Sequence, residues 1–178
     1  VEEAKRRGLP NITHYLHSIP YLVKDNVVEM FERNHVYTKT ELYARVDILL
    51  NEYRKSVKAE VLTLLDLSKK QILPALVKEI KFYSDAANSL GFENAYYKRK
   101  IKYMVDLLNQ LDETYHELKN KMQDRKKLST SSEKALYLDE IVVPCMHELR
   151  RICDEIEEGI SKENYPLPTY DELFLSVQ

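Results

Sequence analysis

The sequence contains few of the residues that end strands and form tight turns. Only three glycines and six prolines occur among 178 residues, whereas sheet proteins need turn residues roughly every 8 to 12 positions. This scarcity favours helices over sheets. The same three glycines, Gly8, Gly91 and Gly159, lie too far apart to form a GxGxxG loop or a Walker phosphate loop. Nucleotide binding through a glycine-rich loop is therefore excluded.

Cysteine is also scarce, and the two cysteines present cannot pair. Cys145 and Cys153 are two turns apart in one helical pattern, which is too distant for a disulfide. The chain has no apolar run of the length that crosses a membrane, and its first residues, VEEAKRRG, lack the apolar centre of a signal peptide. We expect a soluble cytoplasmic protein with reduced thiols and no membrane partner.

Neither sign of charge is in large excess. The 27 basic residues face 29 acidic ones, for a net charge of −2, so no overall field would attract nucleic acid. The basic runs YKRKIK (97–102) and KNKMQDRKK (119–127) are typical of the mixed-charge outer face of a helix. We expect no nucleic-acid partner.

Hydrophobic residues, at 44%, recur with helical spacing over most of the chain, which predicts one all-α domain over 1–178. The stub before 11 resembles the end of a helix capped by Gly8, which suggests a piece cut from a longer chain. Residues 11–37 are predicted as a loop and a short helix. Thr38 and Glu41 form a capping box that begins a long helix over 38–90, kinked at Pro74.

Two further long helices are predicted. The one over 94–127 carries a heptad seam, and the one over 131–162 begins at a Thr130–Glu133 capping box and is kinked at Pro144. The seam consists of Ile101, Met104, Leu108, Leu111, Tyr115, Leu118 and Met122. Short connections between the long helices predict antiparallel neighbours. The expected fold is an elongated antiparallel bundle of three long helices with a short N-terminal helix and a proline-rich tail.

The tail, residues 163–178, combines prolines with apolar residues whose exposure to solvent is unfavourable. Alternate prolines hold the backbone extended, and Thr169 with Glu172 can cap a final helical turn. The tail is predicted to dock in a groove through Pro166, Leu167, Pro168, Tyr170, Leu173 and Phe174.

Several pairs of metal-ligating residue types are candidate sites. Glu-x-x-His occurs at Glu32–His35 and at Glu113–His116, the spacing that bundles use for two-metal centres. The heptad places Glu113 and His116 on the outer face, and His35 lies beyond its helix. The remaining pairs, His14 with His17 and Cys145 with His147, lack the second pair that makes zinc spacings specific. No catalytic, cofactor-binding or metal residue is assigned.

Several segments together carry a family resemblance. They are KRRGLPN near the start, TKTELYARVDILLNEYRKSVKAEV, QILPAL, STSSEKA leading into VVPCMHELRRICDEIE, and PLPTYDELF near the end. In this order, they resemble the C-terminal helical region of type III glutamine synthetases over essentially the whole chain. Tyr165 is a departure, because the family pattern leads us to expect Trp there.

The resemblance implies a parent enzyme, a glutamate-ammonia ligase that uses ATP and Mg or Mn. It also implies stacked rings, with the catalytic residues upstream. This region would then be non-catalytic, with the upstream catalytic domain and further copies of the chain as partners. The alternative is a stand-alone helical adaptor that binds another protein through its helix faces or through the Pro-Leu-Pro segment at 166–168.

Overall fold

The computed structural model describes residues 2–9, 11, 12, 14–90, 94–168 and 170–175, with backbone only at 170 and 171. These residues form helices and connections and contain no strand, so the all-α prediction is confirmed. The α-helices are α1 Glu2–Arg6, α2 Tyr15–Ser18, α3 Asp25–Arg33, α4 Lys39–Leu67, α5 Leu73–Ser89, α6 Ala95–Asp124, α7 Ser131–Tyr137, α8 Val143–Gly159 and α9 Tyr170–Leu175. None of these helices combines the length and the apolar content that a membrane crossing requires.

Both predicted capping boxes are present. The backbone N–H of Thr38 donates to Glu41 at 2.7 Å, and the backbone N–H of Glu41 donates back to the Thr38 hydroxyl at 3.3 Å. The Thr130–Glu133 pair repeats the arrangement at 3.0 and 3.1 Å. Each box satisfies backbone donors that have no partner within the helix, and so fixes where the helix begins.

A π-helical turn precedes each helix-embedded proline. The turns span Ser68–Ile72 and Leu138–Val142, and Pro74 and Pro144 each follow as the second residue of the next α-helix. A proline is tolerated in a first turn, where its missing N–H is not needed. The kinks predicted at both prolines stay predictions.

The described residues group into two compact units. The first contains those of 1–58 and 125–141. Its core cluster consists of Leu16, Ile19, Leu50 and Ala135, with Val46, Leu49 and Tyr53 packed against it. The Tyr53 hydroxyl donates to Asp139 at 2.5 Å, and the other carboxylate oxygen of Asp139 lies 3.1 Å from Nδ1 of His14. The organisation as one domain over 1–178 stays a prediction.

The second unit contains the described residues of 59–124 and 142–178. Within it, α6 packs against both α5 and α8. Lys100 Nζ donates to the Gly159 carbonyl at 3.2 Å, and the Tyr103 hydroxyl donates to Glu155 at 2.8 Å. Because residue numbers rise along α6 as they fall along α8, these two helices are antiparallel.

Only part of the heptad seam of α6 is fully buried. Met104, Leu111, Leu118 and Met122 are buried, whereas Ile101, Leu108 and Tyr115 are half-buried, and Leu107, outside the strict seam, is buried. Because α6 contacts two neighbouring helices, its apolar stripe is wider than a two-helix seam. The stripe predicted for the last long helix is buried throughout: Leu138, Val142, Cys145, Leu149, Ile152, Ile156 and Ile160.

Candidate functional site

The most polar feature inside the second unit is a buried carboxylate. Glu79 on α5 is only 1% exposed and accepts three hydrogen bonds from the segment after α8. The donors are the backbone N–H of Ser161 at 3.2 Å, the Ser161 hydroxyl at 2.8 Å and the Asn164 side-chain amide at 2.6 Å. We call Glu79, Ser161 and Asn164 together the tail clamp. Since a buried charge needs such partners, the clamp fixes the point at which the tail begins.

A groove begins directly after the clamp. Its cavity measures about 180 Å³, and its walls come from the end of α4, the first π turn, α8 and the tail itself. We call it the tail groove. The lining residues are Leu64, Leu67, Ser68, Ile72, Arg150, Cys153, Asp154, Glu157, Tyr165, Leu167, Pro168 and Leu173. The groove has an apolar floor with charged residues of α8 along it.

Tyr165 is the first tail residue in this groove. Burial is the main cause that raises the pKa of its phenol above the ordinary value, and a hydrogen bond with Glu157 raises it further. A tyrosine so placed is held neutral with its ring among apolar neighbours. The tail therefore enters the groove through an aromatic side chain whose hydroxyl has a fixed partner.

The floor of the groove includes a close contact between Ser68 and Cys153. The serine oxygen and the cysteine sulfur are 3.4 Å apart, and both residues are buried. Burial raises the pKa of the Cys153 thiol, against the opposing effect of the Ser68 hydrogen bond. Cys145 is likewise buried, and burial raises the pKa of its thiol. Both thiols fill space in the interior rather than act as nucleophiles.

The predicted docking residues are distributed unequally. Leu167, Pro168 and Leu173 line the groove, although Pro168 is exposed and Leu173 keeps 49% of its surface. Pro166 is exposed, and Phe174 is 78% exposed. The side chain of Tyr170 and the predicted cap at Thr169 lie outside the described residues. Docking of all six residues stays a prediction.

The Glu-x-x-His pairs lie apart from the tail groove. His116 contacts Asp112 at 3.5 Å with 59% of its side chain exposed, and Glu113 is exposed, as the heptad predicts. His35 follows the end of α3 with a left-handed φ of 54°, and Glu32 accepts the backbone N–H of Lys39 at 2.9 Å. Among the described residues, no group of three or more metal-ligating side chains could hold an ion.

The His14–His17 pair and the Cys145–His147 pair have different surroundings. The His14 and His17 rings lie 5.7 Å apart, and His14 faces Asp139. Cys145 is buried while His147 is exposed, so the two residues lie on different sides of α8.

Glu79 and Ser68 are buried although neither was predicted from the sequence as a core residue. Both lie on the apolar stripe of their helix, beside the buried residues Leu65, Ile72 and Leu76. A polar residue at a stripe position was the signal that could have found them. The partners of Glu79 lie 82 and 85 residues further along the chain, which no local pattern reveals.

Taken together, these features define a class: an all-α domain of long helices whose one fully buried carboxylate, among the described residues, accepts hydrogen bonds from the segment after α8. The family described as glutamine synthetase C-terminal domain matches residues 1–90. A glutamine synthetase of Butyrivibrio fibrisolvens is 31% identical over 100% of this chain and 26% of its own length.

Two further relatives agree. A type-3 glutamine synthetase of Dictyostelium discoideum is 26% identical over 97% of this chain and 25% of its own length. A glutamine synthetase of Bacteroides fragilis is 26% identical over 98% of this chain and 25% of its own length. The chain belongs to the glutamine synthetase C-terminal domain family. It spans about a quarter of the length of these relatives.

Proposed function

We propose that this chain acts as the non-catalytic C-terminal helical domain of a cytoplasmic type III glutamine synthetase. The parent enzyme would join ammonia to glutamate with ATP and Mg or Mn, and those groups would be held by the upstream catalytic part. The helical domain would serve as a scaffold that contacts that part and neighbouring subunits.

The observation that carries this proposal is the extent of the similarity. Essentially the whole chain aligns with about a quarter of each of three glutamine synthetases. A domain inside a longer chain meets the rest of that chain through inter-domain interfaces. The buried interior supports a structural role, because its one acidic residue among the described residues, Glu79, accepts the three hydrogen bonds of the tail clamp.

The tail gives the scaffold a surface for such contacts. Leu167 and Leu173 lie along the tail groove, while Phe174 and Leu175 are 78% and 70% exposed on the last turn of α9. Exposed apolar side chains next to an anchored segment are typical of interaction surfaces. We assign this face to the upstream catalytic part or to another copy of the chain.

A complementation experiment tests the scaffold role. The parent enzyme is produced without the region that aligns here, and the 178-residue chain is then supplied as a separate polypeptide. We expect the truncated enzyme to lose assembly and ATP-dependent glutamine formation, and the added chain to restore both. Light scattering and an assay of glutamine formation are the measurements.

Two outcomes would contradict the proposal. A truncated enzyme that retains its full assembly and activity removes the scaffold role. A reading frame that ends just upstream of Val1 removes the parent enzyme altogether and favours the stand-alone adaptor.

A further inference from the structure

A second cavity lies where the first π turn meets α6. It measures about 90 Å³ and is lined by Ser68, Lys69 and Leu73 on one side and by Leu111, Asp112, Tyr115, His116 and Lys119 on the other. We call it the π-turn pocket. π-helical turns inside α-helices occur frequently at functional sites, because they displace side chains from the regular helical positions.

The floor of the π-turn pocket is hydrocarbon. Leu111 is buried, and Leu73 and Tyr115 are half-buried. Ser68 is also buried, but its hydroxyl lies 3.4 Å from the Cys153 sulfur and is engaged there. The inner surface therefore favours an apolar group.

The rim of the pocket has an unbalanced positive charge. Each pocket lysine has a neighbouring lysine whose charge is paired: Lys70 with Asp66 at 2.5 Å and Lys121 with Glu117 at 2.6 Å. Among the described residues, by contrast, Lys69 and Lys119 have no carboxylate within ion-pair distance.

The sequence explains this difference between the lysines. The residues four positions either side of Lys69 are Leu65 and Leu73, and those around Lys119 are Tyr115 and Gln123. Helical ion pairs form at spacings of three or four residues. Asp66 lies three positions before Lys69, but it pairs with Lys70 instead, and the residues three positions from Lys119 are His116 and Met122. The one carboxylate on the rim, Asp112, already faces His116.

We propose that the π-turn pocket binds a small amphiphilic anion. Its carboxylate or phosphate head lies between Lys69 and Lys119, and its hydrocarbon body lies on Leu111, Leu73 and Tyr115. A cavity of 90 Å³ equals the liquid volume of about three water molecules, at about 30 Å³ each, and so has room for a short branched hydrocarbon body. This inference does not depend on the proposed scaffold role.

A set of matched probes tests the charge and the apolar body separately. Isovalerate, isobutyl phosphate, inorganic phosphate and isoamylamine are titrated into the ¹⁵N-labelled 178-residue chain, and amide shifts are followed. We expect one or both organic anions to shift amides of 68–73 and 111–119, with a dissociation constant of about 1 mM, typical of so few atoms. Isoamylamine, with a similar body and the opposite charge, should bind at least tenfold more weakly.

The comparison of the two anions identifies the head group. Tighter binding of isovalerate assigns a carboxylate, and tighter binding of isobutyl phosphate assigns a phosphate. The proposal is overturned if neither anion shifts these amides, if isoamylamine binds as well, or if inorganic phosphate binds as tightly as its isobutyl ester.

Matched lysine variants locate the head group. Lys69→Gln and Lys119→Gln should each weaken the tighter anion at least fivefold. Lys121→Gln removes the same charge from the same helix as Lys119 but affects a lysine that is already paired, and should change affinity less than twofold. Equal losses in all three variants would mean general attraction to a basic surface and would overturn the site.

Discussion

At the scale of single residues, Glu79 is the side chain whose removal has the clearest consequence. It is a carboxylate at 1% exposure whose three donors all belong to Ser161 and Asn164. Glu79→Ala leaves those donors without an acceptor and opens space in the core. We expect a loss of about 3 kcal/mol in the free energy of unfolding, measured in urea.

The conservative variant separates hydrogen bonding from packing. Glu79→Gln keeps the volume and one acceptor oxygen, while the Ser161 hydroxyl can turn to accept from the new amide. We expect it to lose about 1 kcal/mol, clearly less than the alanine variant. Equal losses for both variants would show that the charge itself, rather than the shape and partial bonding, holds the clamp.

The two cysteines should react slowly in the folded chain. Both are buried, and burial is the main cause that raises the pKa of each thiol. Because the thiolate is the reactive form, reaction with Ellman's reagent at pH 8 should be at least about tenfold slower in buffer than in urea. Cys145→Ser and Cys153→Ser leave one thiol each and assign the rates. A thiol that reacts at the unfolded rate would contradict its buried position.

At the scale of elements, the Thr130–Glu133 capping box fixes the start of α7. Thr130→Ala removes the hydroxyl that accepts the Glu133 N–H, and the expected loss is about 1 kcal/mol in the free energy of unfolding. A loss below the error of a urea titration would show that the chain enters α7 equally well without the cap.

The same box predicts a dependence on pH. Hydrogen bonds from Thr130, the backbone N–H first, lower the pKa of Glu133 below its ordinary value near 4.5. The contribution of the box is therefore complete above pH 4.5 and is lost as the pH falls through the lowered pKa. Glu133→Gln should flatten this part of the pH profile of stability, and an unchanged profile would contradict the assignment.

We expect alkaline pH to weaken the packing of the tail, because the phenol of Tyr165 ionises there. Its pKa is raised above the ordinary value of 10, mainly by burial. A phenol that ionises later in the folded than in the unfolded state stabilises the fold fully below pH 10, and this contribution falls above pH 10. Tyr165→Phe should lose less melting temperature between pH 8 and pH 11 than the parent chain does. Tyr43→Phe, at an exposed tyrosine, is the matched control and should behave like the parent.

Local patterns were sufficient for the helices but not for their polar contacts. Capping boxes and period-3.6 stripes arise from neighbours in sequence, and α4 and α7 begin directly after the two predicted boxes. The burial of Leu107 instead of Leu108 depends on two partner helices, which the seam of one helix does not specify. The stripe position of Glu79 is a local signal, but its partners lie 82 and 85 residues further along the chain, and the two prolines indicated kinks rather than π turns.

At the scale of the whole molecule, the sequence predicted the class and the family but not the grouping of residues into two units. The N-terminal segment 14–23 and the α7 region form one core cluster around Leu50. That cluster joins stretches more than 80 residues apart, so composition and periodicity could not reveal it. The tail groove was expected from the apolar residues of the tail, but its walls come from α4, the first π turn and α8.

Deletion of the tail should change both the stability and the association of the whole chain. Removing residues 165–178 uncovers the groove floor, which includes Leu64 and Ile72, and removes the half-buried Tyr165 and Leu167. Partial burial of two such side chains is worth about 2 kcal/mol. For a chain of this size, that corresponds to a fall of about 4 to 8 °C in melting temperature.

The uncovered apolar floor should also promote association, which light scattering at high concentration detects. Phe174→Ser changes an exposed tail residue without uncovering the groove and should leave both measurements unchanged. Since the clamp at Ser161 and Asn164 remains in the deletion, an unaltered melt would mean that the clamp alone accounts for the stability of this end of the molecule.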